Sequence, residues 1–101
     1  MLDLNNLAYF GEVVDHGSFA AAGRNLAIPK SRLSRRIAEL EARLGARLLQ
    51  RTTRTLSLTA VGEVVYRHCV AMREQAQAAE QAVALSHAQP RGTIRVACPI
   101  T

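Results

Sequence analysis

The sequence predicts a mostly α-helical chain in which three short helices and a small β-hairpin precede one long helix. Three observations carry that expectation. Apolar residues recur at intervals of three and four through the first 44 positions, Leu56 to Thr59 alternates apolar and polar, and the segment from Ala60 to Ala88 contains no proline. The composition agrees, because 49% of the residues are apolar and only 4% aromatic, leaving Leu, Val, Ile and Ala to build the core. A chain of 101 residues is one domain, or one domain with an appendage, which excludes a large multidomain enzyme. It has no run of about 18 apolar residues, and Met1-Leu2-Asp3-Leu4-Asn5 lacks the basic and apolar regions of a signal peptide. A soluble, cytoplasmic protein with no membrane partner is expected.

The first helix is marked by Leu4, Leu7, Phe10 and Val14 and stopped by Gly17 as a C-terminal cap. Ser18 is the N-cap of a second, short helix from Phe19 to Leu26. Ile28-Pro29 breaks the pattern, and a third helix runs from about Pro29 to Leu44 before Gly45. Leu33, Ile37, Leu40 and Leu44 form its inward stripe, while Ser31, Arg35, Ala38 and Ala42 face outward, flanked by Arg32 and Glu39. Two helices that cross tightly need a small residue at the crossing, and Ala22 and Gly23 supply it. Gly23 costs about 1 kcal/mol relative to Ala inside a helix, so clearance for the neighbouring helix explains it best. The alternating segment and Thr52-Thr53-Arg54 suit a hairpin and its tip. Helix, helix, helix, hairpin is the element order of a winged helix-turn-helix.

In the long helix, Val61, Val65, His68, Met72, Ala76, Ala79 and Val83 form a seam close to the coiled-coil period. Such a seam requires a partner. A second copy of the chain is the simplest, and the chain's own domain is the alternative. Residues 1–59 are few for a self-sufficient core, which favours dimerisation through residues 60–88. Gln89-Pro90-Arg91-Gly92 has the composition of a hinge, and Thr93 to Cys98 alternates as a strand. Residues 89–101 are therefore expected to open a further domain, with this chain the N-terminal part of a longer protein.

The charge distribution narrows the function. The chain carries +5 overall. Between Arg24 and Arg54 stand Arg24, Lys30, Arg32, Arg35, Arg36, Arg43, Arg47, Arg51 and Arg54 against Glu39 and Glu41, a net +7. The remainder is net negative. Arginine's forked donors match phosphate oxygens, and a block this asymmetric points to a polyanion rather than a mixed solvated face. By contrast, Cys69 and Cys98 lack metal-ligand spacing, and His16, His68 and His87 are isolated. Paired carboxylates, a nucleophile with its base and a phosphate-cradling glycine loop are also missing, so no catalytic, metal or cofactor residue is assigned.

Ser18-Phe19, Ala21-Ala22, Leu26, Leu33-Ser34-Arg35, Ile37, Leu40-Glu41, Leu44-Gly45, Leu48-Leu49, Arg51-Thr52, Leu58-Thr59 and Gly62 together resemble the N-terminal DNA-binding domain of LysR-type transcriptional regulators. The likeness runs from about Leu4 through the long helix, and Gly92 to Pro99 is similar to the hinge and first strand of that family's effector-binding domain. The resemblance implies a bacterial regulator that is dimeric through its linker helix and commonly tetrameric when full length. It also implies binding to imperfect inverted repeats near promoters, and a C-terminal domain that binds a small-molecule effector.

The candidate DNA-binding residues are Ser18, Pro29, Lys30, Ser31, Arg32, Ser34, Arg35, Arg51, Thr52, Thr53 and Arg54. Arg35 matches the family's recognition-helix arginine and is assigned to the DNA backbone, with Ser34 beside it. Arg51 and Arg54 lie in the wing, residues 50–56, against phosphate or in the minor groove. Pro29-Lys30-Ser31-Arg32 departs from the Ser, Gln and small residues common in the family. The family's base preference therefore does not transfer, and Lys30 is open to a guanine edge or a phosphate. The expected function is sequence-specific binding of duplex DNA by a homodimer. A non-specific architectural DNA-binding protein and a protein-interaction module are the alternatives.

Overall fold

The computed structural model describes residues 1–51 and 55–88. The expected hairpin tip at residues 52–54 and the hinge and strand expected at 89–101 lie outside the described residues. Six elements follow in order: α1 (Leu4–His16), α2 (Phe19–Leu26), α3 (Lys30–Leu44), β1 (Leu49–Arg51), β2 (Leu56–Leu58) and α4 (Ala60–Ala88).

Local chemistry sets the first boundaries. The Asp3 side chain accepts the Asn5 amide at 2.8 Å and opens α1. Gly17, at φ 73°, closes it with its N–H directed at the Val13 and Val14 carbonyls. Ser18 then caps α2, its hydroxyl oxygen accepting the Ala21 amide at 3.0 Å. Ala27 ends α2 at φ 60°, a left-handed conformation in which a side chain is uncommon. Pro29 is the N-cap of α3 rather than its first helical residue, and Gly45, at φ 71°, is its C-cap.

The first of two compact units, Met1–Ala71, holds the core. Leu7, Phe10 and Val13 of α1, Phe19 and Ala22 of α2, and Leu33, Ile37 and Leu40 of α3 are buried together with Leu48, Leu49 and Cys69. The expected stripes hold in their middles and fail at their ends. Leu4 and Leu44, the first residue of α1 and the last of α3, are 49% and 38% exposed, and Val13 is buried more deeply than Val14. Gly23 performs the clearance expected of it, against the turn rather than a helix body. A Cβ there would stand 2.9 Å from the Ile28 carbonyl oxygen.

Polar ties fix the helices relative to each other. Arg36 of α3 donates to Asp3 and Asn6 at 3.3 and 3.1 Å and lies 5.7 Å from the centre of the Tyr9 ring. Asn25 of α2 donates to Glu12 of α1 at 3.1 Å. One Glu41 carboxylate oxygen accepts the backbone amides of Leu48 and Leu49 at 2.8 and 3.2 Å, which places the entry to the hairpin under the last turn of α3.

β1 and β2 pair antiparallel with Leu49 opposite Leu58, Gln50 opposite Ser57 and Arg51 opposite Leu56. Thr59 joins this hairpin to α4. Its N–H donates to the Leu48 carbonyl at 3.0 Å, its hydroxyl donates to the Arg47 carbonyl at 2.7 Å, and its Oγ1 accepts the Gly62 amide at 2.9 Å. The first turns of α4 then pack onto the same unit. Gly62 and Cys69 are buried, the Cys69 thiol donates to the Leu7 carbonyl at 3.4 Å, and the Tyr66 hydroxyl donates to Asp15. The second unit begins at Met72. There α4 continues with Met72 and Arg73 half-buried and residues 74–87 exposed.

Gly62 has the sharpest consequence. A Cβ at this position would lie well inside contact distance of the Leu48 carbonyl oxygen, and that oxygen belongs to backbone. Helix propensity alone predicts that Gly62→Ala stabilises the chain by about 1 kcal/mol. The close approach predicts the opposite sign, a destabilisation of about 2 to 3 kcal/mol or more. Urea unfolding decides between them, and an unchanged or raised midpoint would refute the close approach.

Candidate nucleic-acid interface

The start of α3 is arranged against its own stability. Pro29 offers no side-chain acceptor, and the first turn contains no acidic residue, so the leading amides of the helix are left for an outside partner. Lys30 and Arg32 stand at this positive end of the helix dipole, where cations are disfavoured by about 0.3 to 1 kcal/mol each. Such an end attracts an anion. Pro29, Ser31, Arg32 and Arg35 line a shallow polar depression beside it, all four exposed. Ser34, on the next turn, is half-buried.

The basic block divides into two groups. Arg36 is bound to Asp3, and Arg47 stands 3.8 Å from Glu41. Arg24, Lys30, Arg32, Arg35, Arg43 and Arg51 are exposed, and none makes an ion pair among the described residues. Arg35 and Arg36 are neighbours with opposite fates. A helix directs successive side chains about 100° apart, which sends Arg36 toward α1 and leaves Arg35 in solvent.

Ser18 serves α2 as its cap, and its hydroxyl proton remains available to an outside acceptor. Arg51, the last residue of β1, lies over the Phe19 ring with its guanidinium carbon 4.5 Å from the ring centre. Thr52, Thr53 and Arg54 lie outside the described residues. Among the residues expected to form the α4 seam, Val61, His68, Ala76, Ala79 and Val83 are exposed, whereas Val65 and Met72 are half-buried.

Sequence reasoning missed the Phe19 platform, the Glu41 carboxylate that receives two hairpin amides, and Arg36 as an internal tie. Only Glu41 left a signal, an acidic residue near the C-terminal end of a basic helix where the dipole disfavours it. Among the described residues no group of His, Cys, Asp or Glu is placed to hold a metal ion. No helix there is long and apolar enough to cross a membrane.

The chain is similar to proteins of known kind. An HTH-type transcriptional regulator of Xanthomonas campestris is 46% identical over 97 residues, covering 96% of this chain and 28% of that protein. An HTH-type transcriptional repressor of Pseudomonas aeruginosa is 43% identical over 98 residues, covering 97% of this chain and 31% of its own length. The chain thus spans about three tenths of these curated relatives. Among solved structures, the BenM DNA-binding domain in complex with catB site 1 DNA superposes with a TM-score of 0.80 at 30% identity, covering 87% of this chain and 98% of that one. Residues 4–63 match the family model described as bacterial regulatory helix-turn-helix protein, lysR family. With the family's helix-turn-helix, its hairpin and the start of its long helix all in place, this chain belongs to the LysR family of bacterial regulators.

Proposed function

We propose that this chain binds duplex DNA sequence-specifically, as the DNA-binding part of a homodimeric transcriptional regulator. The first two turns of α3 enter the major groove, and the wing lies on the backbone or in the minor groove. The observation that carries this reading is the start of α3, where Lys30, Arg32 and Arg35 surround uncapped helix amides and make no ion pair among the described residues. The similarity to a domain solved on its DNA site supports it. The role is binding without catalysis, exercised in the cytoplasm. A small-molecule effector is proposed to act through a further domain of the full-length protein, since the relatives are about three times longer than this chain.

Burial in α4 refines the proposed dimer contact. Val65 is half-buried on its own unit, whereas Val61, Val64, His68 and Ala71 are among the exposed residues of the first turns of α4, as Ala76, Ala79 and Val83 of the expected seam are farther along. The spacing of Val61, Val64, His68 and Ala71, three, four and three, continues through Gln75, Ala78, Ala82 and Leu85, also exposed, as a heptad stripe. Ala71, Ala78 and Ala82 in this stripe leave room for the close approach of a second α4.

Selection from a randomised duplex pool at moderate salt tests the whole reading, and a two-fold-symmetric motif is the expected result. Binding at low salt with nothing enriched would mean an architectural protein, and no binding at any salt would mean an interaction module. Arg35→Ala is expected to weaken binding to specific and unrelated duplexes alike. It should also flatten the dependence of log K on log salt by about 0.9 for each phosphate that the variant no longer neutralises. Lys30→Ala is expected to alter which bases are selected, and an equal weakening on every sequence would assign Lys30 to a phosphate. Val64→Glu, placing a charge on a residue 44% exposed in the single chain, is expected to sediment as a folded monomer. A persistent dimer would move the interface elsewhere.

A further inference from the structure

We propose that Phe19 is a positioning residue for Arg51, its ring acting as a platform that aims the guanidinium at a DNA phosphate. The inference rests on the DNA-binding reading above and names a residue that does not itself touch DNA. Phe19 is the first residue of α2, immediately after the Ser18 cap, and is 6% exposed. Arg51 is the last residue of β1, exposed, with its guanidinium carbon 4.5 Å from the ring centre. That distance is within the reach of a cation–π interaction, which needs about 6 Å or less.

The geometry lets one side chain serve two partners. A guanidinium stacked on a ring uses its face, while its N–H donors radiate in its plane and stay free for an oxyanion. A loose arginine must give up rotamer freedom when it meets a phosphate, and a stacked one has given up much of it beforehand. Arg36 shows the contrast. It also lies near a ring, that of Tyr9, but its Nη1 donates to Asp3 and Asn6, so that stack belongs to the tie between α1 and α3. Arg51 keeps the stack without an ion-pair partner among the described residues. Because the platform belongs to α2, Arg51 is held in register with the helix pair as well as with its own strand.

Two readouts test the proposal. In the free chain, the side-chain protons of Arg51 are expected to show ring-current shifts in NMR spectra, abolished in Phe19→Leu and kept in Phe19→Tyr. In duplex titrations over a range of salt, Phe19→Leu is expected to weaken binding roughly two- to five-fold, the range set by a partly exposed cation–π interaction. Its salt dependence should become shallower, and Phe19→Tyr should bind as the unsubstituted chain does. In an Arg51→Ala background the same Phe19→Leu change should cost nothing further. Arg51→Lys, which leaves the core untouched and keeps the charge, should weaken binding at least as much as Phe19→Leu. An equal effect of Phe19→Leu in both backgrounds, or full binding by Arg51→Lys, would overturn the platform. Absence of duplex binding by the unsubstituted chain would instead overturn the DNA reading, and the ring-current shift would still report whether the stack exists.

Discussion

The structure turns on Leu48. Its side chain is fully buried, its N–H goes to the Glu41 carboxylate, and its carbonyl accepts the Thr59 amide while lying too close to α4 for any residue but glycine at position 62. One residue thereby connects the end of α3, both strands and the start of α4. Buried backbone groups need partners, and an unpaired one costs about as much as a broken hydrogen bond. The loop between α3 and β1 meets that requirement with Glu41 on one side and Thr59 on the other. α3, the two paired strands and the first turns of α4 therefore belong to one unit rather than three hinged pieces.

Within that unit the cations are sorted by what they face. Arg36 and Arg47 find carboxylates on the chain, and Arg36 also satisfies Asn6, a polar residue buried in the core. Those at the head of α3 find none among the described residues and sit where the helix dipole disfavours them. A sequence selected only for stability would place acids there. The destabilising charges are concentrated where an outside anion would offset them, which is the physical signature of a binding surface.

Much of this is legible in the sequence because it is local. Gly17, Ser18 and Gly45 mark helix ends through backbone chemistry that reaches no farther than four residues, and the outward face of α3 follows from its period alone. The parts that are not legible depend on residues distant in the chain. Arg51 and Phe19 are 32 positions apart, and Tyr66 and Asp15 are 51 apart. Gly62 is recognisable as a motif residue, but its reason, the Leu48 carbonyl, emerges only when the hairpin is docked. Ala27 leaves no signal, since an alanine at φ 60° resembles any other alanine in sequence. Leu4 and Leu44 mislead for a related reason: periodicity places a residue on a face without saying how far along that face the neighbouring elements reach.

In the long helix periodicity alone leaves two neighbouring stripes open, and they share Val61 and His68. A run of Val, Ala and Met satisfies two nearby stripes almost equally well, because positions three and four apart share a face. Only packing distinguishes them. Gly62 and Cys69 commit one side of α4 to its own unit, and Val65 is drawn partly under with them. Val61, Val64, His68 and Ala71 stay exposed on the same turns and belong to the surface proposed for a second copy. In the proposed dimer the same first turns of α4 would be gripped from within by Leu48 and from outside by the partner.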